Sequence, residues 1–225
     1  MNEICELYKN SQEFHKEGIH VISTDEMTGI QALEQKYPYK PPRPEQTAKI
    51  EFEYIRHGTT SLIGFFNVAT GKMESPYINQ TRTEEDFVKA VETLVNTKPE
   101  ASWIFVCDGL NIHKSESLVR FVAETCKIKT ELGKKGVCGI LKSMETRAEF
   151  LHDTSHKIRF VYTPKHSSWM NQIEIWFGII SRKLLKKKSY SSIEELENSI
   201  RRFIEQYNLT AHPYCWTYAG IPLKI

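Results

Sequence analysis

The sequence predicts an α/β fold: a mixed sheet flanked by helices, with a helical extension at its C-terminal end. Three observations lead there. Ile19 to Thr24 is a short run rich in β-branched residues, the composition of a strand. Trp103 to Cys107 is a continuous apolar run of strand length, the mark of a strand buried on both faces inside a mixed or parallel sheet. Between and after these runs, apolar residues recur at helical spacings of three and four.

The elements follow in order. Met1 to Gly18 is mostly polar, with Ile4, Leu7, Tyr8 and Phe14 scattered through it. It reads as a short helix or as a frayed leader. Ile19 to Thr24 is the first strand and ends in Asp25-Glu26. Gln35 to Lys49 carries four prolines and a run of basic residues, so it reads as extended and exposed. It is either a surface loop or a basic arm lying along a phosphate backbone, with Lys40 and Arg43 as its contacts. Glu51 to Ile55 is a further strand candidate, and Arg56-His57-Gly58 reads as a turn. Ser61 to Val68 is a strong strand, Ala69 to Lys72 a turn, and Met73 to Ile78 the returning strand.

Thr83 is placed as an N-cap, with Glu84, Glu85 and Asp86 in the first turn, where acids favour the helix dipole. Phe87, Val91 and Leu94 form the buried stripe of that helix, which Lys98-Pro99 ends. Ser115 to Thr125 and Met144 to His152 read as helices, separated by a basic, glycine-containing stretch without a period. Ile158 to Tyr162 is the last strand candidate. The polar loop Lys165 to Ser168 leads into a helix whose stripe is Met170, Ile173, Phe177, Ile180 and Leu184. Ser192 caps a final helix, with Glu195 completing a capping box. Its stripe is Ile193, Leu196, Ile200, Phe203 and Tyr207.

Composition excludes several classes. The 225 residues are 40% hydrophobic, enough for a sizeable core. The five cysteines form no C-x-x-C pair, which argues against a disulfide framework and a structural zinc site. No apolar run is long enough to span a membrane and no signal-peptide pattern opens the chain. A soluble protein of a reducing compartment is expected. The formal net charge of +2 does not announce a nucleic-acid binder, but the basic residues are unevenly placed, and distribution matters more than the sum.

Three acids occupy comparable places. Asp25 ends the first strand, Asp108 ends the central strand, and Glu174 sits on the helix after the last strand. If the first and central strands are neighbours and parallel, both aspartates project from one end of the sheet, where α/β folds place their ligands. The helix bearing Glu174 can then cross the sheet. On its face Asn171 lies one turn before the glutamate, and Gly178 and Ser181 follow, which leaves space above the carboxylate. Taken singly, each acid has a plainer reading. Asp25 suits a turn, Asp108-Gly109 is an ordinary turn dipeptide, and Glu174 is a half-exposed helix flank. Together they repel one another and call for a hard cation, Mg²⁺ or Mn²⁺.

The segments VISTDEMTGIQAL (Val21 to Leu33), EYIRHGTTSLIGFFNVATGK (Glu53 to Lys72), FVCDGLNIHKS (Phe105 to Ser115) and PKHSSWMNQIEIWF (Pro164 to Phe177) resemble the DDE transposases of the mariner superfamily, in its bacterial insertion-sequence branch. The last is the most specific, with its S-x-x-x-N-x-x-E arrangement at a helix start. The resemblance covers Ile19 to the final helix. It implies an RNase H-like fold with a mixed five-stranded sheet, and a division into a leader (1–18), a catalytic domain (19–188) and a C-terminal helical extension (189–225). It also implies that Asp25, Asp108 and Glu174 are the catalytic triad and the ligands of two Mg²⁺ or Mn²⁺ ions. The activity implied is cleavage at terminal inverted repeats and transfer of the ends into target DNA, by a homodimer, in a bacterial cytoplasm at the nucleoid. Relatives carry a helix-turn-helix region ahead of the catalytic core. Since this chain opens almost at the first strand, a separate helix-turn-helix polypeptide is an expected partner. Gly109 departs from the family, which favours an asparagine-type residue there.

Around the triad, Asn111, His113, His166 and Asn171 are candidates to contact a scissile phosphate or orient a nucleophile. Both histidines are ranked as supporting, since a lone loop histidine is more often a surface residue. Trp176 reads as core. Trp169 either stacks on an unpaired base or packs under its loop. Arg182, Lys183, Lys186, Lys187 and Lys188 form the densest basic cluster, and with Lys165 they read as phosphate-backbone contacts. Two rival functions stay open: a nuclease that hydrolyses without joining strands, and an inactive DNA-binding remnant that regulates a full-length enzyme.

Overall fold

The computed structural model describes residues 1–37, 44 and 53–218. Lys40 and Arg43, the expected arm contacts, lie outside the described residues. Five strands form one sheet: β1 (Ile19–Gln35), β2 (Tyr54–Asn67), β3 (Tyr77–Asn79), β4 (Ser102–Cys107) and β5 (Ile158–Tyr162), in the order β3-β2-β1-β4-β5. β1 pairs antiparallel with β2 and parallel with β4, and β4 pairs parallel with β5. The sheet is mixed, as expected, with β1 and β4 side by side at its centre.

Alternation along the strands builds two cores, one on each face. Val21, Ile104 and Val161 face one layer, while Ile22, Phe105 and Phe160 face the other. The first layer holds α1 (Asn2–Lys9), α6 (Ile173–Ile180) and α7 (Ile193–Leu209). The second holds α3 (Glu84–Val95), α4 (Glu116–Thr125) and α5 (Met144–His152). Between the α1 end and β1 lies the short α2 (Ser11–Lys16). Helix rather than frayed leader forms at the start, because Ile4, Leu7 and Tyr8 share one face and are buried in the first core. Among the described residues no helix is long and apolar enough to cross a membrane.

Several boundaries differ from the sequence expectation. β1 does not stop at Thr24: it runs on through Asp25 to Gln35, because β2 continues to pair with it after β4 has ended. Arg56-His57-Gly58 is no turn. It lies within β2 beside two register shifts, and Gly58 takes φ +118° there, a bulge position that suits glycine. The returning strand shrinks to a bridge at Met73 and the three residues of β3. The Thr83 capping box forms with Asp86 as its third residue, and the helix ends at Val95. At Ser192 only half a box forms: its hydroxyl accepts from Glu195 N, but the Glu195 carboxylate reaches back to Ser191.

One small residue sets how α6 sits on the sheet. Gly64 on β2 pairs with Asp25. A Cβ built on it would lie 2.6 Å from Ile173 Cδ1 and 3.3 Å from Phe177 Cε1. The bare backbone therefore lets α6 come down onto β2 at the level of Asp25. Replacing Gly64 by Val forces Ile173 and Phe177 out of a close-packed layer. The expected cost is on the order of 2 kcal/mol, a fall of roughly 4–8 °C in Tm, measurable by thermal denaturation; an unchanged Tm would remove Gly64 from this role.

Candidate active site

The parallel ladder between β1 and β4 ends at Ser23 and Val106. Asp25 and Asp108 each follow two residues later, so they leave neighbouring strands at the same end and level. The Asp25 carboxylate accepts from the Glu26 amide at 2.8 Å through Oδ1. Asp108 Oδ1 accepts from Leu110 N at 3.0 Å and from His113 Nδ1 at 2.8 Å.

Helix α6 is tied to β1 through one amide. Asn171 is fully buried. Its Nδ2 donates to the Thr24 carbonyl at 2.9 Å and to Asp25 Oδ2 at 3.3 Å. Its Oδ1 accepts from the Ser23 hydroxyl, whose oxygen accepts in turn from Ile173 N at 2.9 Å. Asn171 therefore does not line an open face with Glu174, as the spacing suggested: a 3-10 turn at Ser168–Met170 precedes the helix and turns the amide inward. Glu174 stands in the first turn of α6 and is exposed, where the helix dipole favours a carboxylate. The space over Gly178 is filled by the Arg182 guanidinium, 3.1 Å from where a Cβ would lie. After Ile180 the chain makes a π-helical turn, Ser181–Leu185, in place of the continuous helix expected.

The electrostatics of the two aspartates diverge. Burial pushes the Asp25 carboxyl up to about 7, with the charges of Glu26 and Asp108 adding to it against the Glu26 amide hydrogen bond. Burial also acts on Asp108, but hydrogen bonds from His113 and Leu110, with the positive charges of His113 and Lys114, hold it below the usual carboxylate range. Glu174 is raised by burial and by Asp108. The three acids thus act on one another through Asp108, as a converging set does. Among the described residues no three ligating side chains stand close enough to enclose an ion. The donors offered at this end of the sheet are carboxylate oxygens, the hard ligands of Mg²⁺ or Mn²⁺, which bind through one or two carboxylates and take their other ligands from water and substrate phosphate.

His113 is the largest departure from the sequence reading. It is fully buried instead of lying on a loop surface, clamped between Asp108 and Glu26, whose Oε1 lies 2.8 Å from Nε2. Burial works against its charge, yet Cys107, Asp108 and Glu26 together hold its pKa well above the ordinary histidine value. Asn111 opens the same 3-10 turn and is exposed.

Beside Asp108 opens a cleft of about 320 Å³, lined by Lys114, Thr163, Lys165, His166 and Ser167 among others. His166 takes φ +60° in its wall. Lys114, which the sequence reading passed over, lies with Nζ 4.4 Å over the Tyr162 ring and 3.3 Å from a Cβ built on Gly109. An asparagine at 109 would have to displace it. Trp169 is 51% exposed, its ring edge-on to Tyr218, so it does not pack under its loop. Trp176 is core, as expected. Of the basic cluster, Arg182, Lys183, Lys186 and Lys187 are exposed and make no ion pair among the described residues. Lys188 is engaged by Ser199 at 2.8 Å and Glu195 at 3.5 Å. Ser23, Glu26 and Lys114 are the site residues that sequence reasoning missed. Glu26 alone left a signal, an acid adjacent to Asp25 that strand alternation sends to the opposite face.

Residues 20–197 match the family described as DDE superfamily endonuclease. No curated protein matches the sequence. Among solved structures the fold is similar to that of the Mos1 mariner paired-end complex with Mn, at TM-score 0.55 and 12% identity over 91% of this chain and 53% of that one. It is similar to the Mos1 transposase paired-end complex with left transposon end, at 0.52 and 12% over 91% and 53%. It is also similar to the catalytic domain of Mos1 mariner transposase, at 0.51 and 11% over 91% and 78%. The chain spans about half the length of the first two. At such identity the likeness is one of fold, and the fold is the RNase H-like one of a transposase catalytic domain.

The Asn171 clamp makes an ordered prediction. Asn171→Ala leaves the Thr24 carbonyl and Ser23 hydroxyl short of partners, at a cost of about 2 kcal/mol. Asn171→Asp costs more at pH 8, because it sets a second carboxylate against buried Asp25. Thermal melts of the two variants check the order; an Asp variant as stable as the Ala variant would contradict it.

Proposed function

Because the chain belongs to the DDE superfamily of endonucleases, we propose that it is the catalytic part of a DNA transposase of mariner type, of the bacterial insertion-sequence branch. In this reading it cuts DNA at an element's terminal inverted repeats and joins the 3′ ends to target DNA. The observation that carries it is the placement of Asp25 and Asp108 at one end of two adjacent parallel strands, with α6 clamped across β1 beside them and Glu174 in its first turn.

Asp25 and Asp108 hold the cations, and Glu174 completes the coordination of one. Asp108 Oδ2 and the Glu174 carboxylate carry no hydrogen bond among the described residues, so they are available as ligands. Asp25, Asp108 and Glu174 would hold Mg²⁺ or Mn²⁺, and a cation held there would supply Lewis-acid activation of a water or 3′-hydroxyl and charge stabilisation for the leaving oxygen. The Mos1 paired-end complex with Mn supports the choice of cation, and the complex with left transposon end supports DNA as partner.

The rest of the chain binds and orients. Lys114, Lys165 and His166 line the cleft beside Asp108 and receive the negative charge of the strand entering it. Asn111 and exposed Trp169 contact the nucleotides beside the scissile phosphate. Arg182, Lys183, Lys186 and Lys187 grip the backbone of the flanking duplex, which gives affinity without reading sequence. Lys188 braces the start of α7. Recognition of the repeat sequence falls to a helix-turn-helix partner region. Two ends held together require two active sites, hence a homodimer, in the bacterial cytoplasm at the nucleoid. Residues 19–188 form the catalytic domain and 189–225 its extension, with 1–18 packed beneath.

Mn²⁺ should raise the Tm of the wild type. At a hundred times Kd the gain is about 2.7 kcal/mol, roughly 5–10 °C. Asp108→Ala should abolish the gain while melting cooperatively in EDTA. With pre-cleaved element-end DNA and a target duplex, strand-transfer products are expected from the wild type and lost in Glu174→Gln. Nicking without joining would favour a hydrolytic nuclease. A gain in Tm that survives Asp108→Ala would remove Asp108 from the metal site.

A further inference from the structure

Glu26 is a buried carboxylate that the reading above does not use. Its side chain is 1% exposed and lies on the face of β1 opposite Asp25. One oxygen meets His113 Nε2 at 2.8 Å; the other, Oε2, is buried without a hydrogen-bond partner among the described residues. Burying a carboxylate so incompletely satisfied is unfavourable, and an apolar residue would pack there at less cost. Stability alone gives no reason for Glu26.

Its partner is fixed on every side. The Phe87 ring lies 4.6 Å from the imidazole, and the Tyr162 hydroxyl donates to the His113 carbonyl at 2.9 Å. The remaining ring nitrogen, Nδ1, lies 2.8 Å from Asp108 Oδ1, which Leu110 N also occupies. The Asp108 carboxylate cannot rotate without breaking both bonds. Oδ1 is used internally, and Oδ2 is left for the cleft that Asp108 lines. Carboxylate–histidine pairs are known to orient metal ligands from behind. Here the histidine orients a carboxylate, and Glu26 orients the histidine.

We propose that Glu26 is a positioning residue: through His113 it fixes the rotamer of Asp108 and so sets the cation affinity of the site. The inference rests on the reading of Asp108 as a metal ligand. Glu26→Gln preserves the chain, since its amide can donate to Nε2 and leave Nδ1–H donating to Asp108. Glu26→Met fills the same volume and preserves nothing.

Two measurements on the full chain test it. In titration calorimetry with Mn²⁺, the Met variant should bind about 10–100-fold more weakly, the range seen when an outer-shell partner of a metal is removed, and the Gln variant should bind like the wild type. In cation-free protein, NMR should show a slowly exchanging, downfield imidazole N–H from His113 Nδ1, kept in Gln and lost in Met. A folded Met variant with wild-type affinity overturns the proposal. So does the absence of that resonance from the wild type, which needs no variant to fold. If the wild type binds no Mn²⁺, the reading of Asp108 fails instead, and the resonance decides the positioning alone: lost only in Met upholds it, kept in both overturns it.

Discussion

The Asn171 amide lies buried between β1 and α6 and spends its hydrogen bonds on Ser23, Thr24 and Asp25. The cleft depends on the geometry this fixes. Three residues later comes Glu174, so the helix turn that begins at Asn171 decides where that carboxylate stands. Gly64 works with the clamp from the neighbouring strand, since its missing side chain lets Ile173 approach. A polar tether and an apolar contact thus act at one level of the sheet, and that level is the one from which Asp25 projects. Such a buried amide is conformationally specific because every alternative packing of α6 would strand its donors and acceptors.

The acids are held from both faces of the sheet. Asp25 meets Asn171 from the layer of α6, while Glu26, the next residue, meets His113 in the layer of α3 and α4. Adjacent strand residues point to opposite faces, so one dipeptide serves both layers. The electrostatic outcome differs accordingly. Both aspartates accept hydrogen bonds, but Asp108 also faces the positive charges of His113 and Lys114 and stays readily ionised, whereas Asp25 is more deeply desolvated and faces like charges, which pushes its pKa up to about 7.

Much of this was legible in the sequence. The continuous apolar run at Trp103 to Cys107 could only be a central strand, and its immediate Asp108 marked the end of the sheet that matters. The β5 and α5 spans were readable because local pattern and burial agree there. What pattern could not give was pairing. Nothing local says that β1 continues past Asp25, because that depends on β2 still running beside it. The same holds at Arg56-His57-Gly58, whose turn-like composition serves a bulge inside a strand. His113 was misplaced for a related reason. A histidine in a short polar segment looks exposed until a long-range partner, Glu26, is brought against it by the fold. Asn171 was put on the helix face by its spacing from Glu174, but a 3-10 turn intervenes and alters the phase.

The irregularities of the sheet fall where they do least harm to the acids. β1 pairs with β4 without interruption from Ile19 to Ser23, and with β2 in regular register from Ile22 to Met27. Register shifts begin only after Met27. A slip of one residue within the regular stretch would exchange the faces of Asp25 and Glu26. It would turn the Asp25 carboxylate into the layer of α3 and α4, and the His113 partner toward Asn171. Pairing on both edges of β1 makes that slip expensive, since two ladders and two cores would have to shift together. The long, bulged continuation toward Gln35 bears no such constraint, and glycine appears at positive φ there, at Gly29 in β1 and at Gly58 in the stretch of β2 that pairs with it. The strict half of β1 carries Asp25 and Glu26, and the permissive half begins once both have been set.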